Sequence, residues 1–89
     1  MESVWIFVGA YAKFPGGVFL KKEDAARYIE RYKLSGTLSL YPMGEGIYDW
    51  AIRNNFFSPK NENQQSPAFI QTFSDASLEH YHYEDGIEE

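Results

Sequence analysis

The 89-residue chain contains no cysteine. Disulfides and thiolate metal sites are excluded at once, and with them the staples on which small secreted domains usually rely. Long hydrophobic runs are missing too, since no segment approaches the ~20 apolar residues of a membrane span. The opening Met1-Glu2-Ser3 offers no basic stretch, and the apolar run Val4–Val8 is very short. No signal peptide is expected, and the cytoplasm is the default location. A phosphate-cradling loop is lacking: Gly16-Gly17 and Gly44-Glu45-Gly46 stand without a following Gly-Lys-Ser/Thr. Histidine occurs only at 80 and 82, and no serine sits in an elbow-like context. No catalytic residue is assigned on this basis, no cofactor is implied, and the chain is read as a non-enzyme.

Basic residues thin out after the first third. Residues 1–33 hold six Lys/Arg against four Asp/Glu, and residues 34–89 hold two against nine. The formal charge of −5 is therefore the sum of +2 and −7. The segment from Asp75 onward carries Glu79, Glu84, Asp85, Glu88 and Glu89 with no Lys or Arg. Such a surface repels nucleic acid and anionic membranes and draws in basic partners. A solubilising role for the same charge is the plainer alternative.

What the chain does have is aromatic area, with seven Phe, seven Tyr and two Trp. Large rings supply much apolar area per residue in a chain too short for a large core. A single domain over residues 1–89 is expected. Val4, Ile6 and Val8 alternate with Trp5 and Phe7, which predicts a central strand covered on both sides. Gly9, Pro15, Gly16 and Gly17 mark a loop. Gly17–Leu20 reads as a second strand in a hairpin with the first.

Lys22–Lys33 is the clearest helix, with Ala25, Tyr28, Ile29 and Tyr32 on one face. Glu23 and Arg27 are spaced for an ion pair, and Gly36 is placed as the stop. Thr37–Tyr41 reads as a third strand with Leu38 and Leu40 inward. A second helix is expected over Ile47–Phe56, ending before Pro59. Residues 58–67, polar throughout, are expected to be the most mobile stretch. Ser66-Pro67 opens a third short helix bearing Phe69, Ile70 and Phe73. Leu78–Glu84 reads as a last strand, with Leu78, His80 and His82 on one face and Glu79, Tyr81 and Tyr83 on the other. Asp85-Gly86 closes it, and residues 87–89 are expected to fray. The fold class is α+β: a mostly antiparallel sheet of three to four strands with two to three helices, in the order β-β-α-β-α-α-β.

Chemistry concentrates at 79–85. His80 and His82 on a strand project about 7 Å apart from one face. With Glu84 they form a ligand set suited to zinc or ferrous iron. Alternating rings with polar tips on an edge strand serve equally as packing and contact groups, and no metal is assigned. Asp49 opens a helix, where it acts as a cap or dipole partner or as an acidic contact. Trp50 beside it is read as core.

The segments Val4-Trp5-Ile6-Phe7, Gly17-Val18-Phe19, Tyr48-Asp49-Trp50-Ala51 and His80-Tyr81-His82-Tyr83-Glu84-Asp85-Gly86 stand in an order that resembles a family of small uncharacterised bacterial proteins. The resemblance covers nearly the whole chain, and the last two segments are its most specific parts. It implies a compact small protein and carries no activity. In size, charge and aromatic content the chain also looks like the small acidic immunity proteins that neutralise bacterial toxins. The leading expectation is a binding protein that occludes a basic, nuclease-type toxin. Asp49, Glu79, Tyr81, Tyr83, Glu84 and Asp85 would contact a basic protein partner, with no nucleic acid and no membrane involved. The other two expectations are a metal or small-ligand site at His80 and His82, and a self-associating module that uses a free strand edge. The oligomeric state is left open.

Overall fold

Trp5 and Phe7 decide how the chain folds back on itself. In a computed structural model, which describes residues 2–89, they lie on one face of β1 (Ser3–Gly9) and are 8% and 3% exposed. β2 (Pro15–Phe19) returns antiparallel to β1, placing Phe19 opposite Trp5. Its proline is tolerated because β2 is an edge strand, with no ladder on its far side. α1 (Lys22–Tyr32) follows, and β3 (Gly36–Pro42) pairs with the other edge of β1, setting Leu40 beside Trp5 and Leu38 beside Phe7. β4 (His80–Glu84) and β5 (Ile87–Glu88) complete an antiparallel sheet in the order β2-β1-β3-β4-β5.

The α+β antiparallel architecture is the expected one, with five strands in place of three to four. Among the described residues no helix is long and apolar enough to cross a membrane.

Contacts gather into two compact units. The first holds the sheet and α1. Ala25 and Ile29 of α1 pack on Trp5, Phe7, Leu38 and Tyr83, with Phe19, Leu34, Leu40 and Tyr81 around them. Ile29 and Leu38 have no exposed surface, and each contributes about 1.5–3 kcal/mol through burial. Val4, Ile6 and Val8, on the second face of β1, are only half-buried. Burial on both sides of β1 is thus unequal, because α1 covers the Trp5 face.

The helix ends differently from its expectation. Lys33 adopts the left-handed conformation (φ 55°) and its N–H, with that of Leu34, closes on the carbonyls of Glu30 and Ile29. Gly36 is instead the first residue of β3, at φ 156°, where a Cβ would lie 2.3 Å from the Val8 carbonyl oxygen. Arg27 pairs with Asp24, one turn back, and not with Glu23.

The second unit spans Gly44–Ser77. α2 (Ile47–Arg53) stops short of Phe56, since Asn55 turns left-handed (φ 62°). Arg53 reaches back to Glu45 in a two-pronged pair at 2.9 and 2.8 Å. Glu62–Gln65, inside the polar stretch 58–67, forms a 3₁₀ turn capped by the Asn61 side chain. α3 (Pro67–Ile70) begins as expected, with the Ser66 hydroxyl accepting the Phe69 N–H and Pro67 in the first turn. Tyr48, Phe57, Phe69 and Phe73 form a ring cluster with centroids 4.9–6.4 Å apart. The Tyr48 hydroxyl, at the cluster's edge, donates to the Gln64 carbonyl at 2.8 Å. Trp50, expected as core, is half-buried against Phe56 at 5.3 Å.

Candidate functional site: the C-terminal hairpin

Asp85-Gly86 is a two-residue turn in which both residues have positive φ, 50° and 86°. That is the backbone of the tight hairpin turn that matches strand twist and that Asp-Gly favours. It sends Ile87 and Glu88 back along β4, opposite Glu84 and Tyr83. The expected fraying of residues 87–89 is thereby corrected: Ile87 and Glu88 are a strand, and the Glu89 N–H donates to the His82 carbonyl at 2.8 Å. Gly86 also donates to the Leu34 carbonyl at 2.8 Å. A Cβ at Gly86 would come within 3.1 Å of the Lys33 Cα, so the turn lies flush against the end of α1.

β4 presents two chemically different faces. Tyr81 and Tyr83 pair with Leu38 and Gly36 and point to the α1 side. Tyr83 is 5% exposed and belongs to the core. Its ring is therefore not a free anchor for a partner, because it shares the face of β4 that α1 covers. Tyr81 is half-buried, tilted against Trp5 at 5.9 Å.

Lys22, at the start of α1, reaches over this pair of tyrosines. Its ammonium sits 3.5 Å from the centroid of the Tyr81 ring and 3.0 Å from Glu88 Oε1. The Tyr83 hydroxyl donates to the same Glu88 oxygen at 3.2 Å, and the Tyr81 hydroxyl donates to Glu79 Oε2 at 2.5 Å. The hydrogen bond from Lys22 holds the Glu88 carboxyl below the usual carboxylate range. Burial, followed by the hydrogen bond to Glu88, pushes the Tyr83 hydroxyl up to about 12. The bond to Glu79, with desolvation behind it, raises Tyr81.

On the second face of β4 stand His80 and His82, with ring centroids 5.2 Å apart and edge-to-face. His80 is half-buried and its Nδ1 lies 2.7 Å from the Leu78 carbonyl oxygen, so Nδ1 is the donor there. His82 is exposed, with Nδ1 3.4 Å from the Thr37 hydroxyl. Glu84 does not complete a ligand set with them: among the described residues no group of three or more His, Cys, Asp or Glu is placed to hold a metal ion.

Glu79, Glu84 and Asp85 are exposed, as is Glu89. None of these four is in an ion pair among the described residues, where the bridges are Lys22–Glu88, Arg27–Asp24 and Arg53–Glu45. The hairpin thus gathers Glu79, Glu84 and Asp85 with Glu89, while Asp49 is exposed on α2 in the second unit.

Over residues 4–89 the chain matches a family described as a domain of unknown function, DUF7710. It belongs to that family. The match runs through both compact units, so Gly44–Ser77 is as much part of the family's pattern as the sheet. No curated protein and no solved structure matches the chain. Sequence reasoning missed Lys22, Glu88 and Glu89 as parts of the site. Asp85-Gly86 followed by Ile87 carried the signal for the last two, since a tight turn between two short runs predicts a hairpin.

Proposed function

We propose that this chain is an acidic, non-enzymatic binding protein that docks a basic protein through its β4–β5 hairpin. Its mode of action is that of an immunity or inhibitor protein working in the cytoplasm, covering the active site of a basic, nuclease-type toxin. The observation that supports this reading is the hairpin's uncompensated charge. Glu79, Glu84, Asp85 and Glu89 are exposed without an ion pair among the described residues, and Lys22 is taken by Glu88. Exposed charge of one sign on a short, turn-braced element attracts an oppositely charged surface over a Debye length and speeds encounter. Enzymes that bind nucleic acid carry the opposite charge around their active sites.

The test is kinetic. A basic protein captured with this chain as bait is purified, and its association rate is followed as salt rises. The rate is expected to fall steeply with ionic strength, and Glu84→Lys with Asp85→Lys is expected to slow it about tenfold at low salt. Association that ignores salt and tolerates both reversals would overturn the reading.

A further inference from the structure

A hollow of about 600 Å³ opens on the second face of the sheet, away from the Lys22–Tyr81 side. Its floor follows from register. Val8 pairs with Thr37, Thr37 with His82, and the Glu89 N–H bonds to the His82 carbonyl. One row of side chains therefore crosses β1, β3 and β4 and continues to Glu89 on a common face. Glu84 lies two residues beyond His82 and shares its face. Tyr11 and Tyr41 also line the hollow, and no Lys or Arg does. Tyr11 is fully exposed and held at φ 65°, an unusual conformation for a residue of its size.

The chemistry of these walls is one-sided. Two carboxylates without an ion pair among the described residues, Glu84 and Glu89, face hydroxyl acceptors and an imidazole, with phenol rings beside them. A carboxylate ligand would meet like charge here. A guanidinium suits the walls: its planar fork donates up to five hydrogen bonds, pairs with carboxylates and stacks on aromatic rings. An ammonium offers a smaller, more strongly hydrated charge that cannot bridge both carboxylates in one plane.

We propose that this hollow receives an arginine side chain of the basic partner, an inference that rests on the proposed docking role. The hollow then supplies what the hairpin's diffuse charge lacks, a directional contact that selects arginine over lysine at one position. The occupant is identified by the charge and hydrogen-bonding groups of the lining.

The experiment needs no partner protein. The full chain, with labelled backbone and histidine rings, is titrated with Nα-acetyl-arginine amide and followed by NMR. The citrulline amide, a neutral analogue of the same shape, and the lysine amide are the controls. Saturable shifts confined to Thr37, Ser39, His82 and Glu84 are expected with arginine, in the millimolar range of a single anchored side chain. The lysine amide is expected to bind several-fold more weakly and citrulline not at all. The double variant Glu84→Gln, Glu89→Gln, whose positions are exposed, is expected to weaken arginine binding about tenfold with an unchanged melting curve. Absence of saturable shifts, or equal responses to arginine, lysine and citrulline, would overturn the subsite. Salt-sensitive binding of a basic protein together with a silent hollow would overturn the subsite and leave the hairpin reading standing. A responsive hollow with no salt-sensitive protein partner would overturn the hairpin reading, and with it arginine of a partner as the occupant.

Discussion

Replacing Tyr83 by phenylalanine separates its ring, whose packing does not depend on pH, from its hydroxyl, whose contribution changes sign as pH rises. The ring lies in the core at 5% exposure, and the hydroxyl donates to Glu88 at 3.2 Å. Phenylalanine keeps the packing and loses the bond, which costs about 1 kcal/mol at neutral pH. The hydroxyl is pushed up to about 12 in the folded protein, against about 10 for a tyrosine in the unfolded chain. Raised by about two units, the hydroxyl makes up to about 2.7 kcal/mol of stability depend on its staying neutral. That contribution is fully present below about pH 10 and is lost as pH climbs to about 12, because the unfolded chain then gives up a proton that the folded one retains. Wild type is therefore expected to be the more stable protein near neutrality. The phenylalanine variant should overtake it near about pH 11, where the lost ionisation benefit equals the hydrogen bond. Urea unfolding at a series of pH values measures the difference directly. Stability curves that stay parallel from about pH 8 to 12 would refute the placement of Tyr83 in the core, since an exposed phenol ionises alike in both states.

Two further tests probe the same unit. Gly36→Ala puts a methyl group 2.3 Å from the Val8 carbonyl oxygen at a backbone φ of 156°, so β1 and β3 must part locally. A loss of about 3 kcal/mol or more in chemical denaturation is expected, and a change under about 0.5 kcal/mol would remove the close approach of these strands. Glu88→Gln removes a carboxylate held below its ordinary range by Lys22. Its stabilising effect is present above the ordinary carboxylate range and is lost as pH falls from there through the lowered value of the folded protein. The variant is thus expected to show a shallower loss of stability in acid than wild type, measured by thermal melting from neutral to low pH. Identical acid profiles would exclude the Lys22–Glu88 pair as a contributor.

Local pattern made much of the fold legible. A run of β-branched and aromatic residues on both faces marked Val4–Val8 as a strand, alternation marked Thr37–Tyr41, and the 3–4 spacing of Ala25, Ile29 and their neighbours marked α1. Ser66-Pro67 marked the start of α3, since an N-cap hydroxyl and a proline are satisfied by the same first turn. Boundaries were harder. Gly36 looked like a helix stop, yet a lysine takes the left-handed position, because glycine was needed where two strands nearly touch. The faces of β4 were assigned correctly as sets, but period-two alternation is symmetric and does not say which set faces inward. The tyrosines had looked like the contact face, and they are the ones α1 covers.

The amino-acid sequence alone determined the aromatic content, the antiparallel α+β class, the absence of cysteine chemistry and the crowding of acid near the end of the chain. Each of these depends on residue type or on spacing within a few residues. Only the tertiary structure decided that Lys22 reaches Glu88, 66 residues away, and withdraws that one carboxylate from the acidic surface. It alone aligned Val8, Thr37, His82 and Glu89 into one row beneath a hollow. Register between distant strands is set by the burial of one shared face, and no single strand carries that information by itself.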